Sequence, residues 1–148
     1  MTEAARRTIL SVEDSDEDFF SLCYALKDAG VANPVRRCAS SRAAAAALAS
    51  EAGCAEIRQA AFVLLDLNMP GIDGRELLEM FRKSDRTLPV IVLSTSAHPD
   101  DVAFCYSAGA NGYLVKPLEF ERWKDMMATV AAYWLRAVIL PPPTGATA

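Results

Sequence analysis

Five polar residues stand directly behind short apolar runs, and their types suggest one shared chemistry. Glu13 and Asp14 follow Thr8 to Val12, Asp66 follows Phe62 to Leu65, Ser94 follows Pro89 to Leu93, and Lys116 follows Tyr113 to Val115. In open parallel α/β sheets the carboxyl ends of the strands converge on a crevice where ligands bind. If these runs are strands of one such sheet, three carboxylates, a hydroxyl and an ammonium share that crevice. Two carboxylates about 5 Å apart repel by about 3 kcal/mol at an effective dielectric of about 20, so the cluster calls for a cation. Hard carboxylate oxygens with a backbone carbonyl are the ligand set that suits Mg²⁺.

The elements that must position these groups can be drawn from periodicity. Short β-branched or aliphatic runs alternate with helix-length segments, the pattern of βα units around a parallel sheet, and five units can be drawn. Ser15 with Asp18 three residues on reads as a capping box opening a helix whose face carries Phe19, Cys23 and Leu26. Val35 to Cys38 forms a second run, and Ser40-Ser41 lead into an alanine-rich helix that closes near Gly53. Residues 53–60 read as an irregular connection. Phe62 to Leu65 lacks polar alternation, as suits a central strand covered on both faces. Pro70-Gly71 and Asp73-Gly74 mark a turn before a helix carrying Leu77, Leu78 and Phe81, and Pro99 opens the next one. Lys116-Pro117, directly after a strand, suits a cis peptide that aims the lysine inward.

At 148 residues the chain suits one domain, divided into a tail at 1–7, a core at 8–135 and a C-terminal arm and disordered tail at 136–148. A net charge of −4 weighs against a nucleic-acid or anionic-membrane surface. The four cysteines lie at least 15 residues apart with no C-x-x-C pair, which argues against zinc and against a secreted disulfide framework. Neither a signal-peptide core nor a membrane-spanning run is evident, so a cytoplasmic location is expected.

Glu13-Asp14, Asp66 within LLDLNMPGIDG, Ser94, and Lys116-Pro117 within GANGYLVKP together resemble the signature of two-component response-regulator receiver domains. The resemblance covers residue 8 to about 135. It implies a flavodoxin-like (βα)5 fold with strand order 2-1-3-4-5, and phosphorylation of Asp66 by a histidine kinase with Mg²⁺ as cofactor. It also implies that Asp14 ligates the metal directly, Glu13 acts through metal-bound water, and the carbonyl of Asn68 completes the protein's share. Lys116 would neutralise the transferring oxygens, Ser94 would donate to the phosphoryl group, and Tyr113 would turn inward behind it. Such a domain is a phosphoacceptor switch that catalyses its own phosphorylation and dephosphorylation rather than an enzyme acting on a separate substrate. Ser94 replaces the more usual threonine, and Thr95 stands where alanine or glycine is common, so the space beside the phosphoryl group is narrower.

Singly these residues have plainer explanations: Asp66 as a helix cap, Glu13-Asp14 as a solvated turn, Tyr113 as a packed strand aromatic. Occurring jointly and in order, Glu13-Asp14 and Asp66 outweigh those explanations, whereas for Tyr113 the packed aromatic and the switch role stand even. His98, before Pro99, is an exposed histidine at a helix start with no catalytic part. Other functions are disfavoured on residues. A haloacid-dehalogenase-type phosphatase needs an Asp where Asn68 stands, and the acidic loop 13–18 would repel a flavin phosphate. A pseudo-receiver that binds without being phosphorylated is the alternative, against which the complete acidic set counts.

Residues 136–148 are too few for a DNA-binding effector, so signalling is expected through protein contacts. Tyr133-Trp134-Leu135, Val138 to Pro141, the 53–60 connection and DLNMPG resemble the single-domain regulators paired with bacterial phytochrome kinases. On the last helix, Phe120, Trp123, Met127, Val130 and Trp134 account for one face, leaving Met126, Tyr133, Val138, Ile139 and Leu140 over. The surplus predicts a homodimer through the fourth and fifth units and the arm, the alternative being an arm folded back on its own domain.

Overall fold

The computed structural model describes residues 7–145. The expected tail residues 1–6 and 146–148 lie outside the described residues. The elements run β1 (Ile9–Val12), α1 (Asp16–Asp28), β2 (Val35–Cys38), α2 (Ser41–Ala49), α3 (Glu51–Arg58) and β3 (Phe62–Asp66). They continue α4 (Gly74–Ser84), β4 (Val90–Ser94), α5 (Pro99–Ser107), β5 (Gly112–Val115) and α6 (Phe120–Ala132), closed by a π turn at Tyr133–Ala137. All strands pair in parallel in the order β2-β1-β3-β4-β5, the flavodoxin-like arrangement.

Strand alternation divides the core in two. Leu10, Val12, Val63, Leu65, Val90 and Val92 face α4, whose Leu77, Leu78 and Phe81 are fully buried. Ile9, Phe62, Leu64, Ile91 and Leu93 face α1 and α6, meeting Leu22, Ala25, Leu26 and Met127. Helices on both sides explain why β3 carries no polar alternation.

Three local expectations change. The buried stripe of α1 is Leu22, Ala25 and Leu26, which face the sheet in the α1/α6 core, with Phe19 and Cys23 only half-buried beside it. Residues 53–60 are not irregular, since most of them form α3. Ser50 ends α2 and caps α3 by accepting from the Gly53 N–H at 3.0 Å. Gly53 lies inside that helix, where a Cβ would come within 2.5 Å of the Ala47 carbonyl oxygen, so glycine is what allows α3 to fold tightly against α2. The Lys116–Pro117 peptide is trans, and ion pairs aim Lys116 inward instead.

Leu140 packs against the α1/α6 core and the Arg7 guanidinium donates to the carbonyl oxygen of Pro141 at 2.8 Å, so the arm folds back on its own domain. Met126 also packs onto that core, leaving Tyr133 and Ile139 as the exposed apolar surplus. Among the described residues no helix is long and apolar enough to cross a membrane.

Candidate functional site

Strand register sets up the site. Val12 lies opposite Leu65, so Glu13 and Asp66 leave the sheet side by side, and Ser94 pairs with Val115, next to Lys116. Asp66 is 3% exposed. Its Oδ1 accepts from the Asn68 N–H at 2.8 Å and its Oδ2 lies 2.9 Å from Lys116 Nζ. Lys116 Nζ also lies 3.4 Å from Glu13 Oε2 and 3.5 Å from Asp18 Oδ2. One ammonium thus faces three carboxylates, one oxygen of each lying within 4.8 Å of the others.

Burial is the dominant influence on the two perturbed charges of this set. Burial pushes the Glu13 carboxyl up to about 7; the Ser15 N–H opposes the rise, Asp66 adds to it and Lys116 opposes it. Burial works against the Lys116 charge, yet hydrogen bonding to Asp66 and the charges of Asp66, Glu13 and Asp18 hold it above its ordinary value. A hard divalent cation fits this set of carboxylate oxygens, because its charge would offset the burial that works against an ionised Glu13.

Asp18 is a member the sequence reading missed. In a capping box its carboxylate would return to the Ser15 N–H. Here Ser15 Oγ does accept from the Asp18 N–H, but the Ser15 N–H donates to Glu13 Oε1 at 3.0 Å. Asp18 is therefore left to face Lys116. The signal available was its place one turn into a helix that begins just after the acidic pair. Asp14 is exposed and lies outside the cluster of Glu13, Asp18 and Asp66.

The loop after β4 closes the other side. Ser94 is buried and its Oγ accepts from the Ser96 N–H at 3.1 Å, leaving the hydroxyl hydrogen available to donate. Asn68 Oδ1 accepts from the Thr95 N–H at 2.8 Å, linking the turn beyond Asp66 to this loop. The Tyr113 hydroxyl donates to the Ser96 carbonyl oxygen at 2.8 Å. His98 caps α5, its Nδ1 accepting from the Asp100 N–H. Between Lys116 and the α1/α6 helices lies a cavity of about 250 Å³ whose walls include Asp18, Leu22, Phe120 and Trp123.

Residues 9–128 match the family model of the response regulator receiver domain. The chain belongs to that family. Receiver relatives of similar size include the response regulator Rcp1 of Synechocystis, 32% identical over 91% of this chain and 93% of that protein. The phosphorylated cyanobacterial phytochrome response regulator RcpA superposes with a TM-score of 0.82 at 30% identity, over 93% of this chain and 99% of its own. Rcp1 itself has been solved with Mn²⁺ bound, with a TM-score of 0.81 over 92% of this chain and 99% of its own. The receiver also matches a probable methanogenesis regulatory protein, FilR2 of Methanothrix harundinacea, at 45% identity over 49% of this chain, and that match spans 48% of the relative.

Proposed function

We propose that this receiver is a phosphorylation switch in which Asp66 accepts a phosphoryl group from a histidine kinase, with Mg²⁺ as cofactor. The observation that carries this reading is a nearly buried Asp66 held between the Asn68 N–H and the Lys116 ammonium. A carboxylate oxygen of Asp66 attacks phosphorus, a P–O bond forms, and the P–N bond to the donor imidazole breaks with its electron pair going to nitrogen. Lys116 offsets charge on the transferring oxygens, while Ser94 donates its hydroxyl to one of them; both are electrostatic and positioning contributions. Asp14, Asp66 and the Asn68 carbonyl would hold the metal, Glu13 would act through a water and Asp18 stands beside them; a bound Mg²⁺ supplies further positive charge to the phosphoryl oxygens. Tyr113 already packs against the core with its hydroxyl on the Ser96 carbonyl oxygen, so this inward position is the one that phosphorylation of Asp66 would stabilise as Ser94 is drawn to the phosphoryl group, changing the face of α5 and β5.

The likeness to Rcp1 and RcpA favours a bacterial phytochrome kinase as the donor, and a cytoplasmic location follows from that partnership. Two copies pair through the fourth and fifth units, where Tyr106 and Val115 are exposed, with the arm contributing Ile139. The test is incubation with candidate kinases, or with acetyl phosphate and Mg²⁺, followed by intact mass measurement. A phosphoryl increment on the wild type that disappears in Asp66→Asn supports the reading, and equal labelling of both overturns it.

A further inference from the structure

Ser40 and Ser41 look alike in the sequence but do different work in the structure. Ser40 caps α2, its Oγ accepting from the Ala43 N–H at 3.0 Å. The helix makes no such demand on Ser41, yet Ser41 is completely buried. Its hydroxyl points across to the loop after β3, donating to the Pro70 carbonyl oxygen at 3.0 Å and accepting from the Ile72 N–H at 2.9 Å. Between those partners Gly71 adopts φ +95°, and a Cβ there would stand 2.9 Å from Ser41 Oγ. The turn is shaped to admit this hydroxyl.

The same loop carries Asn68. At its near end Asn68 is fixed through its N–H to Asp66 and through Oδ1 to Thr95. Its carbonyl points wherever the short stretch between Asn68 and Pro70 directs it. Asn68 is anchored on one side and Pro70 on the other, and only the buried Met69 lies between them, which limits how far the Asn68 carbonyl can turn. Groups that orient a metal ligand from behind contribute strongly to affinity although they never touch the ion.

We propose that Ser41 is a positioning residue for the phosphoacceptor site, its buried hydroxyl holding the Pro70–Ile72 turn so that the Asn68 carbonyl is presented to a divalent cation. This rests on the phosphoacceptor reading given above. The test is titration with Mn²⁺ alone, the free ion followed by electron paramagnetic resonance, on the full chain and three variants. Ser41→Ala, and Gly71→Ala, which crowds the same hydroxyl from the turn, should each bind about tenfold more weakly than wild type. Ser40→Ala, which loses only the helix cap, should bind as wild type does. Labelling of Ser41→Ala by acetyl phosphate should recover to the wild-type rate at saturating metal. Unchanged Mn²⁺ affinity in Ser41→Ala, or an equal loss in Ser40→Ala, overturns the assignment while leaving the phosphoacceptor reading in place. A wild type that binds no Mn²⁺ overturns both.

Discussion

Lys116 Nζ lies 2.9 Å from Asp66 Oδ2, the shortest of the ion pairs that hold this ammonium in the crevice. The pair keeps Glu13 and Asp66 from facing each other without a cation. Lys116→Ala should therefore destabilise the metal-free protein, by about 1–3 kcal/mol for buried polar groups left without partners. Added Mg²⁺ should restore much of that loss, because it supplies the missing positive charge. Labelling by acetyl phosphate should fall about a hundredfold, the usual scale for removing one electrostatic stabiliser. Urea denaturation with and without Mg²⁺ checks the first part, and equal stability of both proteins without metal would contradict it.

The acidic residues can be ranked. Asp14 is exposed and outside the cluster, whereas Asp18 shares it with Glu13 and Asp66. With Asp14 as a direct ligand, Asp14→Ala should remove most Mg²⁺ binding and cost little stability, since it relieves like-charge repulsion. Asp18→Asn, acting from beside the site, should weaken binding by about tenfold. Isothermal titration decides the order, and a larger loss in Asp18→Asn would place Asp18 in the direct position.

Much of this architecture was legible because strand ends are marked by abrupt changes from apolar to polar residues. The runs ending at Glu13, Asp66, Ser94 and Lys116 are such changes, and parallel register brings them to one edge. Asp18 was not legible as a site residue, since a carboxylate three residues after a capping serine has a sufficient local explanation. Helix α3 was missed because Gly53 resembles a stop, and its closeness to Ala47 is a tertiary fact. Ser41 was hidden for the same kind of reason: its partners, Pro70 and Ile72, are about 30 residues away. The single-chain path of the arm depends on Arg7, whose reach to Pro141 no periodicity encodes.

That arm supports a prediction about assembly. Leu140 is packed on the core, whereas Ile139 beside it is 99% exposed. Leu140→Ala should lower unfolding stability by about 1–2 kcal/mol, below the range for a fully buried leucine. Ile139→Ser should leave stability within about 0.5 kcal/mol, as surface changes generally do, and should weaken self-association. Light scattering at several concentrations reads the second effect. A wild type that stays monomeric throughout, phosphorylated or not, would rule out the dimer.

A second buried carboxylate, away from the acidic crevice, should make stability depend on pH. Asp85 follows α4 and is 6% exposed, and its Oδ1 accepts from the Thr87 N–H at 2.7 Å, the Thr87 hydroxyl at 2.9 Å and the Leu88 N–H at 3.2 Å. Burial works to raise its carboxyl, but the hydrogen bonds from Thr87, Thr144 and Leu88 prevail and hold it below the usual carboxylate range. A carboxyl depressed in the folded state binds fewer protons there than in the unfolded chain. Its stabilising contribution is therefore complete above the unfolded value and is lost as pH falls through the folded one. Asp85→Ala should cost about 1–3 kcal/mol near neutral pH, because the buried N–H donors of Thr87 and Leu88 lose their acceptor. The gap between wild type and variant should narrow as pH drops below about 4, where the unfolded carboxyl begins to take up its proton. Urea denaturation of both proteins across acidic and neutral pH measures that gap. A difference that stays constant through the acid range would mean that the Asp85 charge plays no part in holding this turn.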